Sequence, residues 1–441
     1  MISGRGSKWG KSLIATSICA YLTKRGFKVF PLNILSITDN DVYRTVEGKN
    51  IDRATMIMAL ASDNTPHISM NPIMMTFNVN DGKYTVKYRG DELDNADFNK
   101  IFKDEIDNLN KNYDYCILET CANEYEFGWY EIDLLNIMCA KELNVLKLEV
   151  SEFPFGKRGT HFIFSISDNC SSLDFDFGFD FHESFLDASK FVSKNPNLPI
   201  DVAVLATPYM SSLIDIAPLS IENDVSIRVI RDKREFSDPD LLIIPGSTNT
   251  CKDMVYVRKF GLDNIVREYS KHGLIVGICG GYQLLGKKLI DPDHVESDVG
   301  EQEAIGLLNV DTIFEKNAVF NRASGKTIPL GFEIDGCENH FGVSYNKEKY
   351  KDFVHISIEN EKEISKDEGA YNDSFNVFGT YLHRCFETPY FREYILNRIR
   401  EKKSLKKNTS KHYDEYLKEQ IEKLSNEFDK NIERTILWEK L

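Results

Sequence analysis

The sequence predicts an α/β protein of two doubly wound domains followed by a C-terminal helical tail. Three observations carry that expectation. Short apolar runs bounded by turn residues recur through residues 1–150 and again through 201–400, separated by longer stretches of helical spacing. That alternation marks strands and crossover helices around a parallel sheet. Beyond residue 400, Leu417, Ile421, Leu424, Phe428, Ile432 and Ile436 recur at helical spacing, as in an amphipathic helix that packs on the body. The length of 441 residues suits two or three domains of roughly 150 residues each. The expected division is 1–195, 200–400 and 401–441, with Asn195-Pro-Asn-Leu-Pro199 as the linker.

In the first block, residues 28–31, 115–119 and 144–148 read as strands. Residues 173–182 alternate strictly, with Phe175, Phe177, Phe179 and Phe181 on one face and Asp174, Asp176, Asp180 and His182 on the other. The polar face offers either metal ligands or the charged guard of an exposed strand edge, and the alternation favours the guard. In the second block, residues 201–205, 226–230, 241–244 and 273–277 are short apolar runs flanked by turn residues, as strands buried on both faces are. A basic run over 398–411, with Lys402, Lys403, Lys406 and Lys407, reads as a solvated face or linker, with nucleic-acid binding as the sharper alternative.

Composition narrows the function. Hydrophobic residues make up 42% and charged residues 28%, enough apolar surface for real cores. The net charge of −15, from 54 Lys+Arg against 69 Asp+Glu, disfavours nucleic-acid and membrane-surface partners. No apolar run reaches the ~18–20 residues of a membrane span, and no signal peptide is visible at the N-terminus. Nine cysteines without C-x-x-C pairs indicate neither a disulfide framework nor a zinc site, so a reduced cytoplasmic enzyme is expected.

Gly277-Ile-Cys279-Gly-Gly281 follows an apolar strand and precedes a helical stretch. This is a nucleophile elbow, whose glycines permit a tight strand-to-helix turn that projects Cys279. A helix N-terminus beneath the thiol favours the thiolate. The N–H of Gly280 would hold an oxyanion, and Pro245-Gly246-Ser247 could supply a second donor through Gly246. A nucleophilic cysteine needs a base, and His383 in Gly379-Thr-Tyr-Leu-His383 is the best placed of nine histidines. A buried structural cysteine is the bland reading of Cys279. The elbow, the Pro-Gly-Ser turn and the downstream histidine together favour the nucleophile.

At the N-terminus, Gly4-Arg-Gly-Ser-Lys-Trp-Gly10-Lys11-Ser12 opens a helix, as a phosphate-cradling loop does. Gly4 and Gly10 would frame the loop, Lys11 would reach the terminal phosphates and Ser12 would ligate Mg²⁺. Glu119 ends a strand nearby in sequence order, as a second metal ligand or as a cap of the next element.

Pro-Gly-Ser-Thr-Asn-Thr250, the elbow through Gly286 and Gly-Thr-Tyr-Leu-His383 resemble the class I glutamine amidotransferase domain, and more narrowly that of the cobyric acid synthase family. Asp291-Pro, Val295-Glu296, Gly306-Leu-Leu308 and Gly331-Phe-Glu-Ile334 extend the likeness. The phosphate loop, one residue longer between glycines than the standard form, is similar to that of the dethiobiotin synthetase-like amidoligases. Gly48-Lys-Asn-Ile-Asp-Arg53-Ala54, Met70-Asn71-Pro72, Asp133 and Asn136 resemble further parts of that synthetase half. The resemblance implies a P-loop synthetase domain, a glutamine amidotransferase domain, ATP with Mg²⁺, and glutamine as ammonia source. It also implies a corrinoid acceptor, cobyrinic acid a,c-diamide. The a,c-diamide-forming sister enzyme and an amidotransferase-like regulatory protein with a degenerate synthetase half stay open. The chain departs from the family at Asn33, where a Lys is usual, and at Glu119-Thr-Cys-Ala122, where a Gly-rich run is usual. Cys385 stands two residues past His383, where typical triad amidotransferases carry Glu, which fits the corrinoid branch, whose members lack that Glu.

Overall fold

A computed structural model of the chain describes residues 2–4, 11–38, 42–78, 83–92, 112–120, 148–152, 161–166, 172–176, 192, 196–298, 300–347 and 351–432. The chain divides into two units, Met1–Asp187 with Glu415–Leu441, and Ala188–Asp414.

The first unit is built on a six-stranded sheet. Its strands are β1 (Ile2–Gly4), β2 (Val29–Asn33), β9 (Tyr115–Glu119), β10 (Leu148–Glu152), β11 (His161–Ile166) and β12 (Ser172–Asp176), in the order β12-β11-β10-β1-β9-β2. The strands from β10 to β2 are parallel, as expected. The other two are not: β10–β11 and β11–β12 pair antiparallel, so this sheet is mixed. The reason is connection length. A parallel crossover needs a dozen or more residues, and the stretches from Glu152 to His161 and from Ile166 to Ser172 are shorter than that. The strand expected at 144–148 begins only at Leu148, and 144–147 lie outside the described residues. Strand β12 holds the first part of the Asp/Phe strip at the sheet edge, while 177–182 lie outside the described residues.

A second sheet takes β3 (Leu35–Thr38), β6 (Ile73–Asn78), β7 (Lys83–Tyr88) and β8 (Asp91–Glu92), and a ribbon pairs β4 (Val42–Arg44) with β5 (Asn50–Asp52). Helix α1 (Lys11–Lys24) ends at Gly26, whose φ of 87° lets the chain turn back while its N–H bonds to the Thr23 carbonyl. Helix α2 (Arg53–Ala61) starts at Asp52, whose side chain accepts from Thr55 N at 2.7 Å.

The second unit holds the six-stranded sheet β15-β13-β16-β18-β26-β25. Its strands are β13 (Ile200–Leu205), β15 (Val225–Ile230), β16 (Leu241–Ile244), β18 (Leu274–Ile278), β25 (Ala370–Tyr371) and β26 (Val377–Thr380). All pair parallel except β25 with β26. Strands β16 and β18 are buried along their whole length, which is what their unbroken apolar runs require. Helices α3 (Thr250–Lys259), α4 (Leu262–Tyr269), α5 (Gly280–Leu285) and α6 (Pro389–Lys402) belong to this unit, as does the two-residue pair of β14 (Met210–Ser211) with β17 (Gly246–Ser247).

A second sheet in this unit has no counterpart in the sequence expectation. It comprises β19 (Lys288–Ile290), β20 (Glu301–Glu303), β21 (Val310–Thr327), β22 (Glu333–Asn346), β23 (Val354–Glu359) and β24 (Lys362–Glu368), antiparallel apart from β19 with β21.

Glu368 closes β24 beneath the strand that leads to the site. It is buried and accepts from Thr380 Oγ1 and from Tyr381 N at 2.9 Å. Burial pushes its carboxyl from the usual 4.5 to about 8, against the pull of those two donors. The folded protein therefore keeps this proton between about pH 5 and pH 8 while the unfolded chain gives it up, so stability falls as pH rises through that window. Glu368→Gln removes this loss. Its unfolding free energy relative to the parent, followed by denaturation from pH 5 to 8, gains with rising pH, by an amount on the order of 3 kcal/mol across the window. Parallel curves would refute the assignment.

Helix α6 runs through residue 400, and the basic run is not all solvated. Arg400 is fully buried, with its guanidinium on Asp224 at 2.8 and 2.7 Å, because a buried charge persists only when paired. Lys406 and Lys407 are exposed.

The last helix, α7 (Tyr413–Ile432), buries Leu417, Ile421, Leu424 and Phe428. Phe428 meets Tyr21 of α1 edge-on at 5.4 Å, and Lys24 and Arg25 reach Asn426 and Asp429. Each such apolar side chain contributes about 1.5–3 kcal/mol on burial. The side chain of Ile432 and residue Ile436 lie outside the described residues. Among the described residues, no helix is long and apolar enough to cross a membrane.

Candidate active site

Cys279 leaves β18 and enters α5 with φ 52° and ψ −109°, the strained backbone of an elbow. The neighbouring glycines are steric necessities. A Cβ on Gly281 would lie 1.9 Å from the Ile244 carbonyl oxygen, and one on Gly280 would lie 2.7 Å from Ser247 N. The elbow thus packs directly on the 244–247 turn. Cys279 N–H donates to the Thr380 carbonyl at 2.8 Å, and its thiol reaches the Asn339 carbonyl at 3.4 Å.

Parallel pairing of β18 with β26 sets Ile278 beside Thr380, so the chain leaving β26 brings His383 to the elbow. Its imidazole Nδ1 lies 2.7 Å from Asp215 Oδ2, while Arg384 N–H donates to Asp215 Oδ1 at 2.6 Å. Asp215 is fully buried at the end of the short helix Leu213–Asp215. Burial works against a charged imidazole, but Asp215 and Cys279 outweigh it and hold His383 well above the ordinary histidine range. With Nδ1 turned to Asp215, Nε2 is the nitrogen left for the thiol. A Cβ on Gly246 would stand 3.1 Å from His383 Cε1, so the Pro-Gly-Ser turn touches the imidazole only because that residue is glycine.

Behind the thiol, Thr250 Oγ1 donates to Gln283 Oε1 at 2.7 Å. Gln283 Nε2 reaches Tyr381 Oη at 3.3 Å, and Tyr381 Oη lies 2.6 Å from Ser344 Oγ. His340 stacks on Tyr381 at 3.6 Å and bonds through Nδ1 to the Gly342 carbonyl.

In the first unit, Gly4 ends β1 with its backbone beside Val150, and Lys11 and Ser12 open α1. Residues 5–10, Gly10 included, lie outside the described residues, as do Asp133 and Asn136. Ser12 Oγ donates to Glu119 Oε1 at 2.6 Å. Among the described residues, Glu119 Oε2 is buried without a hydrogen-bond partner. Burial lifts the Glu119 carboxyl to about 7, opposed by Ser12 and Lys11. Asn33, paired in register with Glu119 on the adjacent strand, donates through Nδ2 to Asp52 Oδ2 at 3.1 Å.

Residues 201–391 match the CobB/CobQ-like glutamine amidotransferase domain. The chain is 33% identical over 473 residues to the cobyric acid synthase of Clostridium botulinum (strain 657 / Type Ba4), covering 97% of this chain and 96% of the relative. It is 32% identical over 483 residues to that of Clostridium tetani, covering 99% and 98%. The same-named protein of Clostridium acetobutylicum is 32% identical, with 97% and 95% covered. The chain belongs to the cobyric acid synthase family.

The structure of this family member gathers Cys279, His383, Gly246 and Gly280 at one place, and separately brings Ser12 to Glu119. It also supplies what sequence reasoning missed. Cys385 is buried, with its thiol pushed far up by burial, and the carboxylate on the imidazole is Asp215 instead. The one signal for it was an acidic residue inside the apolar run Leu213-Ile-Asp215-Ile-Ala, where an unpaired charge could not be buried.

Proposed function

We propose that the chain is an ATP-dependent, glutamine-hydrolysing amidoligase that converts corrinoid side-chain carboxylates to amides, with cobyrinic acid a,c-diamide as acceptor. The observation that carries this reading is the Cys279–His383–Asp215 arrangement inside the matched amidotransferase domain. Cys279 Sγ attacks the δ-carbonyl carbon of glutamine, and the carbonyl electron pair moves onto oxygen. The N–H groups of Gly280 and of the Gly246–Ser247 turn stabilise that oxyanion. Collapse expels ammonia, which takes its proton from His383, and leaves a γ-glutamyl thioester. Water, deprotonated by the same imidazole, then releases glutamate. The freed ammonia displaces phosphate from an acceptor carboxylate that ATP has activated as an acyl phosphate.

On the synthetase side, the orphaned Glu119 Oε2 beside the Ser12 hydroxyl is the kind of oxygen pair that suits a hard divalent cation. Among the described residues, no three His, Cys, Asp or Glu side chains gather as a cage. Mg²⁺ needs none, because it binds through one or two carboxylates, substrate phosphates and water. Ser12 and Glu119 would hold it, and it would neutralise phosphate charge. Lys11, one residue earlier on α1, would take the phosphates directly. Lys11→Ala should therefore weaken ATP binding roughly tenfold or more while leaving glutaminase turnover at saturating glutamine unchanged. Calorimetric titration with Mg-ATP checks it, and unchanged affinity would remove Lys11 from the site.

The reading as a whole is tested by following cobyrinic acid a,c-diamide by mass with glutamine and ATP both present and each omitted. Stepwise amidation that needs both supports it. Asn33, bonded to Asp52 where the family carries Lys, favours slower synthetase chemistry than glutaminase chemistry in this member. Glutamine hydrolysis with no corrinoid product would move the assignment to another acceptor.

A further inference from the structure

Asp253 is a buried carboxylate that the chemistry above does not use. It lies in the first turn of α3 with no exposed surface. Three donors converge on it: Ser247 Oγ at 2.6 Å, Thr207 Oγ1 at 2.7 Å and Tyr209 N at 3.0 Å. Ser247 Oγ in turn accepts from Asn249 N at 3.1 Å, so the hydroxyl is fixed from both sides.

These donors belong to two short segments, 207–211 and 246–247, that pair with each other beside the elbow and the His383 imidazole. Ser247 pairs with Met210 and Gly246 with Ser211 in a ladder of only two residues. A ladder that short has little stability of its own. Asp253 grips one segment through Ser247 and the other through Thr207 and Tyr209. The gripped turn is the one against which Gly280 packs and which Gly246 brings to His383 Cε1.

We propose that Asp253 is a positioning residue for glutamine hydrolysis, holding the Gly246–Ser247 turn where its backbone N–H completes the oxyanion site opposite Cys279. The inference rests on the glutaminase reading. It touches no reacting atom itself. A misplacement of ~1 Å in such a donor is enough to cost about 100-fold in rate.

The test uses the full-length chain and two reactions of the same thiol. Glutamine hydrolysis builds an oxyanion, whereas alkylation of Cys279 by iodoacetamide, followed on the Cys279 peptide by mass, does not. Asp253→Ala should lower glutaminase kcat by roughly 10- to 100-fold with KM changed by less than about threefold. The alkylation rate and its pH profile should stay at the parent's values, because Cys279, His383 and Asp215 are untouched. Asp253→Asn, whose Oδ1 can still accept from Tyr209 N while its amide nitrogen donates to the Ser247 and Thr207 hydroxyl oxygens, should recover most of the loss. Ser247→Ala should lower kcat in the same direction, and combining it with Asp253→Ala should add little. An unchanged kcat in Asp253→Ala overturns the proposal. Alkylation falling in step with kcat also overturns it, since Asp253 would then merely support the fold. If the parent releases no ammonia, or Cys279→Ala still does, the glutaminase reading fails and takes this inference with it.

Discussion

Replacing Cys279 by Ala should abolish glutamine-dependent ammonia release, by about 10⁵- to 10⁶-fold, while amidation driven by ammonium salts persists. The size follows from the role. Without the sulfur no thioester can form, and the remaining N–H donors act on an amide that no nucleophile attacks. The survival of ammonia-driven turnover follows from the division of labour, because only the ammonia source is lost. The substitution is also benign for the fold. The backbone at residue 279 has φ 52°, a strain the parent already bears with a side chain of similar bulk at Cβ. The thiol's bond to the Asn339 carbonyl is a long contact at 3.4 Å, and its bond to His383 belongs to the chemistry being removed. Ammonia release from glutamine and amide formation from ammonium chloride, measured on the same preparation, check both halves. Retained glutaminase activity would show that Cys279 is not the nucleophile.

The elbow was legible because its constraint is local and steric. Gly277, Gly280 and Gly281 each sit where a Cβ would strike backbone or a packed side chain, so the turn writes itself into five consecutive residues. The α7 stripe was legible for a related reason, since Leu417, Ile421, Leu424 and Phe428 all face inward from one helix. The long hairpin of β21 with β22 was not. Its inward alternation is broken by an exposed stretch and a register shift between Phe314 and Val319, which dilutes the period-two signal. The antiparallel extension β10–β11–β12 escaped because strand runs look alike in either direction, and connection length decides. Asp215 escaped because it stands 168 residues before His383 on a three-residue helix, with no motif around it. Asp253 and Ser247 are close in sequence, yet nothing in their spacing tells that Thr207 and Tyr209 complete the grip.

Asp215 carries the second large expectation. Asp215→Asn should lower glutaminase kcat by about 10³- to 10⁴-fold with little change in folding. The carboxylate can only accept, so it fixes the proton on His383 Nδ1 and leaves Nε2 free to take the thiol proton. An asparagine is nearly isosteric, but its amide nitrogen can donate to Nδ1 and stabilise the opposite tautomer, which presents a proton where a base is needed. The charge matters as well as the shape. Burial alone would drive the imidazole toward neutrality, and Asp215 with Cys279 is what holds its pKa up. Removing the negative charge should therefore lower the pKa of His383 and weaken its interaction with the Cys279 thiol. Asp215→Asn should consequently slow iodoacetamide alkylation of Cys279 near neutral pH, which Asp253→Ala should not. Arg384 N–H can keep its bond to the asparagine Oδ1, so a melting temperature close to the parent's is expected. A kcat within about tenfold of the parent would show that the imidazole is oriented by something other than Asp215, since losing a buried carboxylate orienter costs far more than that.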